Sequence, residues 1–388
     1  MVKVRRSWDW GGLALWIGGF VAILVMAGMA PDHRSVMRSY RVASDMFLAG
    51  QPLYDLDVAM GYLYSPAFAA LYVPFMKLGP VLGDSLWRIL SFAVLTYAVW
   101  RQVRMIDPAN RLWMFSYALF LAVPITAGAL RNGQATILLA GACWLLVLSA
   151  LEGRRAETFL WATVAVIAKP TAIIVFLLVG ALRLRLIPIL VLSLLFVLAL
   201  PYAFAPADYV NQLYRDFVTL MTSMSVDKSA AFETADFTAP FSALGMPIPT
   251  QAATLIRIVV ALPTLLLVLW YDRNLDRRLA GLAVFLTAAF YMSLLNPRVE
   301  YNTFALLAMP AGVALAAIWD NEDGGILRSI LAIALFAAGL SGINPHLQEA
   351  LRLWFRPVAM TAITLPILWW FWLAARGKFK RLEAMAHV

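Results

Sequence analysis

Apolar and polar positions along the chain alternate in long blocks, and many of the apolar blocks contain about 20 residues. A block of this length predicts a membrane-spanning α-helix, because about 20 helical residues cover the hydrocarbon core of a bilayer. We therefore expect residues 1–388 to form a single, all-α membrane domain. About ten crossings are predicted, at residues 9–30, 82–105, 111–130, 135–152, 186–203, 252–271, 279–295, 303–319, 326–342 and 357–375.

Two further apolar segments are not expected to cross in the ordinary way. Residues 63–79 are short and are interrupted by Pro66 and Pro74, which favours a re-entrant or interfacial segment over a short span. Residues 157–182 carry Lys169 near their centre, directly before a proline. Because a mid-bilayer charge is costly and proline breaks a helix, we expect two half-helices that form a re-entrant hairpin with the lysine at its tip. A straight span with a buried, partnered lysine is the alternative.

Two longer polar segments, residues 31–81 and 204–250, are predicted to be external loops. In the first, residues 34–49 mix apolar and charged positions like a helix that lies along the membrane interface, and Gly50 is its expected stop signal. In the second, residues 207–223 are expected to be helical.

The charges favour a membrane protein with both termini in the cytoplasm. Only 14% of the residues are charged and 62% are hydrophobic, whereas about a quarter of the residues in a soluble domain are charged. The net charge is +9, and basic residues are concentrated in the short segments that are predicted to lie inside. The basic excess is therefore assigned to membrane topology, and a nucleic-acid partner is not expected.

Several familiar site types are disfavoured. The three histidines are far apart in sequence and have no metal-ligand spacing, so no metal site is predicted. A single cysteine excludes a disulfide within the chain. The chain has no phosphate-binding loop, no dinucleotide fingerprint and no Ser-His-Asp order, which disfavours a soluble nucleotide-sugar enzyme.

Four polar clusters are predicted to face the outer side of the membrane, and each follows a different part of the chain. They lie at residues 32–64, Arg131–Gln134, Lys169 and Arg298–Asn302. Ionisable groups at membrane depth are expensive and mark functional sites. The main functional prediction is that these four clusters converge on one outer site.

The cations, amides and tyrosines of these clusters predict a site for a phosphate and a sugar. Arg binds phosphate through paired N–H donors and Lys adds a point charge, unless these side chains extend to lipid headgroups instead. The amides orient sugar hydroxyls or cap helix ends, and the tyrosines stack on sugar or belong to an interfacial aromatic belt. The predicted phosphate-binding residues are Arg34, Arg131, Lys169 and Arg298, and the predicted sugar-binding residues are Asn132, Gln134, Asn302, Tyr40 and Tyr64.

Two carboxylates are candidates for the general base of a transfer reaction. Such a base must be ionised and within reach of the hydroxyl that it deprotonates. Asp32 is the first carboxylate after the first predicted crossing, and its alternative role is a solvated loop charge or helix cap. Glu300 stands two positions after Arg298, and its alternative role is a structural ion pair.

Six short motifs occur in order between residues 40 and 300. They are YRVA (40–43), LAGQPLY (48–54), YLYSP (62–66), LRNGQ (130–134), AKPT (168–171) and NPRVE (296–300). Together they resemble the motifs of the family 87 glycosyltransferases, which are multi-span enzymes of the GT-C class. The resemblance implies a GT-C-like fold, a polyprenyl-phosphate sugar donor that is often mannosyl, and an acceptor on the outer face. It also implies an inverting single displacement with an acidic base in the first external loop.

One position departs from this resemblance. Family members carry an Asp about four residues before the tyrosine that matches Tyr40, whereas this chain has Val36 there. Asp32 takes this role after a local shift, or Glu300 does, or the chain lacks this activity.

The chain as a whole favours a hexosyltransferase of the bacterial cytoplasmic membrane that uses no cofactor beyond its lipid-linked donor. The expected partners are that donor, a glycolipid or glycan acceptor, and membrane lipids. The alternative function is a non-catalytic membrane protein that binds or translocates a lipid-linked sugar. A cation-coupled transporter predicts pseudo-symmetric halves, and the sequence has no internal repeat.

Overall fold

The computed structural model describes residues 2–54, 62–226, 234–320, 325–342, 346, 350–351 and 353–377. Over these residues the chain is helical and has no β-strand. Short 3-10 helices follow helix ends at Pro170–Ala172, Leu184–Leu186, Leu200–Ala203 and Tyr301–Phe304. The α-helices are α1 (Val2–Met29), α2 (Met37–Leu48), α3 (Pro66–Lys77), α4 (Gly79–Ile106), α5 (Arg111–Asn132), α6 (Thr136–Glu152), α7 (Arg155–Ala168), α8 (Ile173–Leu182), α9 (Ile187–Ala199), α10 (Ala207–Val226), α11 (Ala239–Ala243), α12 (Thr250–Asn274), α13 (Arg277–Leu294), α14 (Ala305–Asp320), α15 (Gly325–Leu340) and α16 (Phe355–Ala375).

Eight helical segments in the described ranges are long and apolar enough to cross a membrane. Each coincides with a predicted crossing, so the expectation of an all-α, multi-span architecture is confirmed. The segments are Asp9–Met29, Gly79–Ile106, Arg111–Asn132, Leu184–Ala203, Thr250–Asn274, Arg277–Leu294, Tyr301–Ile318 and Phe355–Ala375.

The remaining two predicted crossings correspond to shorter apolar helices. The helices α6 and α15 contain 17 and 16 residues. At 1.5 Å per residue, each is about 25 Å long, which is slightly less than the hydrocarbon core of a bilayer. The total of ten crossings therefore stays a prediction. The helix α3 has 12 residues, which agrees with the expectation of a segment shorter than a full span.

The helical chain is interrupted at Lys169, as predicted. The helix α7 ends at Ala168, and the backbone of Lys169 is extended, with φ −157° and ψ 139°. Pro170 explains the break, because proline has no N–H for the helix and disfavours helical geometry in the residue before it. The chain then continues through one 3-10 turn into α8. The entry and exit of these half-helices on one side of the membrane stay a prediction.

Both helices predicted in the polar segments are present. The buried side chains of α2 recur every three or four positions, which is the pattern of a helix that packs through one face. Gly50 lies just beyond α2 with φ +67°, a left-handed conformation that glycine adopts without strain. The helix α10 begins at Ala207, where it was expected. Parts of both predicted loops, at residues 55–61 and 227–233, and the basic C-terminal residues after Gly377 lie outside the described residues.

The chain forms two compact units that alternate along the sequence. Unit 1 comprises Met1–Phe20, Thr96–Gly128 and Thr234–Val388, and unit 2 comprises Val21–Leu95 and Ala129–Glu233. This division does not test the predicted single membrane domain, which stays a prediction. In unit 2, α6 is the central helix, because every residue from Thr136 to Leu151 is buried.

Small residues allow close helix packing inside each unit. In unit 2, a Cβ atom on Gly141 of α6 would lie 2.7 Å from the backbone nitrogen of Leu95. In unit 1, a Cβ atom on Gly312 of α14 would lie 2.8 Å from the carbonyl oxygen of Ala118. In lipid, helices associate through such close van der Waals contact, because the hydrophobic effect does not drive them together.

Candidate active site

In unit 2, the loop before α2 is hydrogen-bonded to the C-terminal end of α5. The backbone N–H of Val36 donates to the carbonyl oxygen of Asn132 at 3.0 Å. Arg88 of α4 donates through Nη2 to Ser35 Oγ at 3.2 Å and to the carbonyl oxygen of Arg131 at 2.9 Å. These bonds satisfy carbonyls that the end of a helix leaves without partners. The predicted clusters at residues 32–64 and 131–134 therefore meet.

Arg131 contacts this loop through its side chain as well. Its Nη2 lies 3.3 Å from Nδ1 of His33, which accepts a hydrogen bond when that nitrogen carries no proton. A guanidinium has five N–H donors, so this contact leaves donors for an anion. Arg34, the next residue in the loop, is exposed and has φ +52°, in the left-handed region that non-glycine residues rarely occupy.

Asp32 belongs to a chain of charges that runs from solvent into unit 2. Its carboxylate is 55% exposed and forms an ion pair with Arg41 of α2. Arg41 also pairs with Asp84 of α4, whose side chain is only 1% exposed. Burial lowers the pKa of Arg41, but the hydrogen bonds and charges of Asp84 and Asp32 outweigh it and raise the pKa above its ordinary value. The hydroxyl of Tyr72 donates to Asp84 Oδ1 at 2.9 Å.

Sequence reasoning missed Asp84 and Arg88 of this assembly. Both lie in α4, within a segment that is otherwise apolar enough to cross a membrane. A carboxylate and a guanidinium four positions apart lie on the same side of a helix. Charged side chains in an apolar span are a functional signal, and applying that rule to this span finds both residues.

Tyr40 and Tyr64 connect the same region to the start of α6. Their hydroxyl groups are 2.7 Å apart, and the Tyr40 hydroxyl accepts a hydrogen bond from the backbone N–H of Ala135 at 3.3 Å. Tyr40 is fully buried, and its ring packs edge-on against Phe68 and Trp87. Tyr64 is half-buried. Of the two tyrosines predicted to contact sugar, Tyr64 is therefore the more accessible, whereas Tyr40 packs inside the unit.

Lys169 joins this group at the break between α7 and α8. Its Nζ lies 5.9 Å from the centroid of the Tyr64 ring, within the range of a cation–π interaction. The side chain is half-buried. Unit 2 thus brings together three of the four polar clusters that the sequence predicts to converge.

The turn after α5 positions the two predicted sugar-binding amides. Gly133 has φ +68°, and Gln134 N–H donates to the carbonyl oxygen of Ala129, which is the bonding pattern of a glycine-terminated helix. The backbone of Asn132 holds the loop before α2, and its half-buried side chain lies at the helix end. Gln134 is 4% exposed, so its predicted sugar contact depends on local opening.

The fourth cluster lies in unit 1, where a second chain segment runs beside it. Ala235 N–H donates to the carbonyl oxygen of Val299 at 2.7 Å. The carboxylate of Glu300 accepts from the backbone N–H of Thr303, and Thr303 Oγ1 accepts from the N–H of Glu300. Glu300 therefore caps the 3-10 helix that follows it. Burial lowers the pKa of Arg298, and the nearby charge of Glu300 opposes that shift.

Asn302 also belongs to this unit. Its Oδ1 lies 3.0 Å from the point that a Cβ atom on Gly128 would occupy, so α5 and the 3-10 helix approach closely there. The convergence of residues 298–302 with the three clusters of unit 2 stays a prediction.

Unit 1 holds two buried arginines to which the sequence analysis assigned no role. Arg356 of α16 is 3% exposed and donates to the carbonyl oxygen of Tyr301 at 2.7 Å. Its guanidinium carbon lies 3.4 Å from the centroid of the Tyr301 ring. The Tyr301 hydroxyl is hydrogen-bonded to Ser341. Arg257 of α12 pairs with the fully buried Asp236 at 2.6 Å.

A comparison with protein-family models assigns the chain to a family. The model of glycosyltransferase family 87 matches residues 62–297, which is more than half of the chain. The chain belongs to glycosyltransferase family 87. The resemblance carried by the six motifs is therefore confirmed. Searches of curated proteins and of solved structures returned no match.

With its eight candidate spans, this family 87 protein is a multi-pass membrane glycosyltransferase. The matched residues include Tyr64, Asp84, Arg131 and Lys169 of unit 2. Asp32 precedes the matched range, and Arg298 to Asn302 follow it. The family match therefore gives no evidence for either candidate base, and the choice between them is argued from the structure.

The arrangement in unit 2 offers the groups that a transfer reaction from a phosphate-linked sugar requires. Arg131 and Lys169 supply positive charge for a phosphate. Asp32 supplies an exposed carboxylate that can accept a proton. Across the described ranges, no group of three or more His, Cys, Asp or Glu side chains is arranged to hold a metal ion, and the absence of a metal site stays a prediction.

Proposed function

We propose that this family 87 enzyme transfers a hexose, with mannose as the first candidate, from a polyprenyl-phosphate-linked donor. The acceptor is a glycolipid or glycan on the outer face of the bacterial cytoplasmic membrane. The proposal includes a GT-C-like arrangement with ten crossings, a re-entrant hairpin at Lys169 and cytoplasmic termini. The cations of unit 2 support a donor that carries phosphate, and a lipid-linked donor is proposed over a nucleotide sugar because the sequence has no soluble-type nucleotide-binding motif.

The strongest support is the grouping of an exposed carboxylate and a cation around the end of α5. Asp32 lies in the loop that α5 holds, and the adjacent His33 contacts Arg131. Lys169 comes from a distant part of the chain and contacts Tyr64 in the same unit. A polyprenyl phosphate that leaves the sugar carries negative charge, which such cations stabilise.

The proposed reaction is a single displacement with inversion at the anomeric carbon. Asp32 accepts the proton of the acceptor hydroxyl, and the acceptor oxygen forms a new bond to that carbon. The bond between the anomeric carbon and the phosphate oxygen breaks, and both its electrons leave with the polyprenyl phosphate. Arg131 and Lys169 bind the departing phosphate, with Arg34 as a further donor at the exposed loop.

The structure favours Asp32 over Glu300 as the base of this proposal. The Glu300 carboxylate accepts a backbone N–H as the cap of a 3-10 helix, so removing a proton from substrate would compete with that bond. Asp32 is more than half exposed and has one arginine partner in the described part of the chain. Asn132, Gln134 and Tyr64 are proposed to orient the sugar.

The test measures donor turnover by the purified full-length enzyme in lipid nanodiscs. The donors are polyprenyl-phosphate mannose, glucose and galactose, and a membrane glycolipid extract supplies the acceptor hydroxyls. The readout is released polyprenyl phosphate, which reports transfer without identification of the acceptor. Asp32→Asn should lower kcat about 100-fold or more, because a positioned base contributes at least that factor. Glu300→Gln should change kcat by less than about tenfold.

Two results contradict the proposal in different ways. Turnover of a nucleotide sugar but of no polyprenyl-phosphate hexose overturns the donor class. Unchanged turnover in both carboxylate variants overturns the assigned base and favours a protein that binds or translocates the lipid-linked sugar.

A further inference from the structure

Arg41 bridges two carboxylates that differ sharply in exposure. Asp84 is 1% exposed and Asp32 is 55% exposed, while the Arg41 side chain between them is 14% exposed. Each terminal nitrogen of the guanidinium contacts a different carboxylate, with Nη1 on Asp84 and Nη2 on Asp32. The planar guanidinium therefore links a fixed internal charge to a solvent-facing one.

The internal end of this bridge is held rigidly. The Tyr72 hydroxyl donates to Asp84 Oδ1, and Tyr72 is fully buried within the aromatic cluster of α3 and α4. Arg88, one turn further along α4, donates to the carbonyl oxygen of Asp84 at 3.3 Å. Because Tyr72 of α3 holds the Asp84 carboxylate, Asp84 sets the position of Arg41, and Arg41 in turn sets the position of the Asp32 carboxylate.

We propose that Arg41 and Asp84 are positioning residues for Asp32. In this arrangement, buried Asp84 holds the guanidinium, and the guanidinium positions the exposed carboxylate. The proposal rests on the proposed function, because it takes Asp32 to be the base. It adds two residues of the reaction machinery, one from a helix that is otherwise apolar.

The loop geometry explains how Asp32 can serve as the base although the aspartate of the resembling family is expected at the position of Val36. The Val36 backbone is held to Asn132 at the start of α2, and the left-handed conformation of Arg34 turns the preceding chain. This turn carries Asp32 back beside α2, where it contacts the residue directly after Tyr40. A carboxylate displaced by four positions in sequence is thereby returned to the helix that carries the first family motif.

A purely structural ion pair would not need Asp32. The pair of Arg41 and Asp84 is already complete inside unit 2, and an ion pair to a carboxylate that is more than half exposed adds little to stability. The contact between Arg41 and Asp32 therefore has its main effect on where the carboxylate lies. Asp32 contacts Arg41 directly, and Arg41 links it to Asp84, which accepts from Tyr72. The neighbouring His33 contacts Arg131.

The decisive experiment is a double-mutant cycle in the full-length enzyme in nanodiscs, in which Arg41→Gln and Asp84→Asn are each measured alone and combined with Asp32→Asn. Release of polyprenyl phosphate from polyprenyl-phosphate mannose is measured as kcat, with a membrane glycolipid extract as the source of acceptor. A residue that acts through the Asp32 carboxylate loses its effect once that carboxylate is gone, whereas a residue that only supports the structure keeps it.

The expected result is a fall in kcat of about tenfold to 100-fold in each single variant, since a misplaced catalytic group loses about that much, and little further loss when Asp32→Asn is already present. Arg38→Gln and Asp45→Asn are the matched controls, because they remove the same charges from exposed positions of α2. Equal losses of kcat with and without Asp32→Asn overturn the proposal.

Arg41→Lys decides the case if a charge-removing variant does not fold. It keeps the positive charge but cannot contact two carboxylates through a planar fork, so kcat should fall about tenfold or more. An unchanged kcat in Arg41→Lys overturns the proposal. Full activity of Asp32→Asn instead overturns the proposed base itself, so the two failures are distinguishable.

Discussion

Arginines of the two units have contrasting partners. In unit 2, the partly buried Arg41 extends from a buried carboxylate to an exposed one, so one side of the ion pair is open to solvent. In unit 1, Arg257 and its partner Asp236 are both buried, and Arg356 is enclosed by the ring and carbonyl of Tyr301. The exposure of the partner, rather than the residue type, therefore distinguishes the proposed site around Asp32 from the buried contacts of unit 1, which we call anchors.

The anchors of unit 1 hold polypeptide segments that are distant in sequence. Asp236 lies in a segment whose backbone bonds to Leu294 and Val299. Arg356 attaches α16 to the first residue of the 3-10 helix that Glu300 caps. We expect substitutions there to change stability first, whereas substitutions of Asp32 and Arg41 should change activity first.

The largest stability effect is expected for Asp236→Ala. This change leaves the guanidinium of Arg257 buried without its carboxylate, which should lower the free energy of unfolding by about 3–5 kcal/mol. Thermal or denaturant unfolding of the purified protein in detergent measures the change. Glu157→Ala is the matched control, because it removes a carboxylate from Arg154, which is 58% exposed and keeps Glu152 as a second partner, so the loss should be about 1 kcal/mol or less. Equal losses in the two variants would contradict the assignment of Asp236 as an anchor.

A smaller effect is expected for Gly133→Ala in unit 2. The glycine has φ +68°, and an added Cβ would lie 2.3 Å from Sδ of Met37, so strain and overpacking should together lower stability by about 2–4 kcal/mol. Gly153→Ala is the control, because Gly153 has φ +74° and no atom within 4 Å of the added Cβ. Its loss should be about 1 kcal/mol.

The double variant Gly133→Ala, Met37→Ala separates the two causes in unit 2. Relative to Met37→Ala alone, adding the Gly133 change should lower stability only by the amount seen for Gly153. If the full loss persists, overpacking against Met37 is not its source.

The smallest of these effects is expected for Arg356→Lys. The ammonium group keeps the charge but loses the planar stack on Tyr301, which should lower stability by about 1–2 kcal/mol. Arg376→Lys provides the comparison, because Arg376 lies 4.0 Å from the Trp372 ring at an exposed position and its stack should contribute about 0.5–1 kcal/mol. A larger loss in Arg376→Lys would show that burial does not strengthen the stack.

The sequence by itself determined the membrane architecture and the main helix break. Apolar length predicts crossings because the bilayer imposes one thickness on every span, and eight predicted crossings correspond to candidate spans. Lys169 and Pro170 predict the break between α7 and α8 because proline acts on its immediate neighbours. The motifs also indicated the family, since they are local runs in a definite order.

Only the tertiary structure decided which polar side chains are partners. Arg41 and Asp84 are 43 residues apart, and Arg356 and Tyr301 are 55 apart, so no local pattern pairs them. Glu300 looked like a candidate base, and its role as a helix cap depends on backbone geometry that spacing alone does not reveal. Pairing and exposure are properties of packed neighbours, and they govern the energy of a charge far more than its position in the sequence.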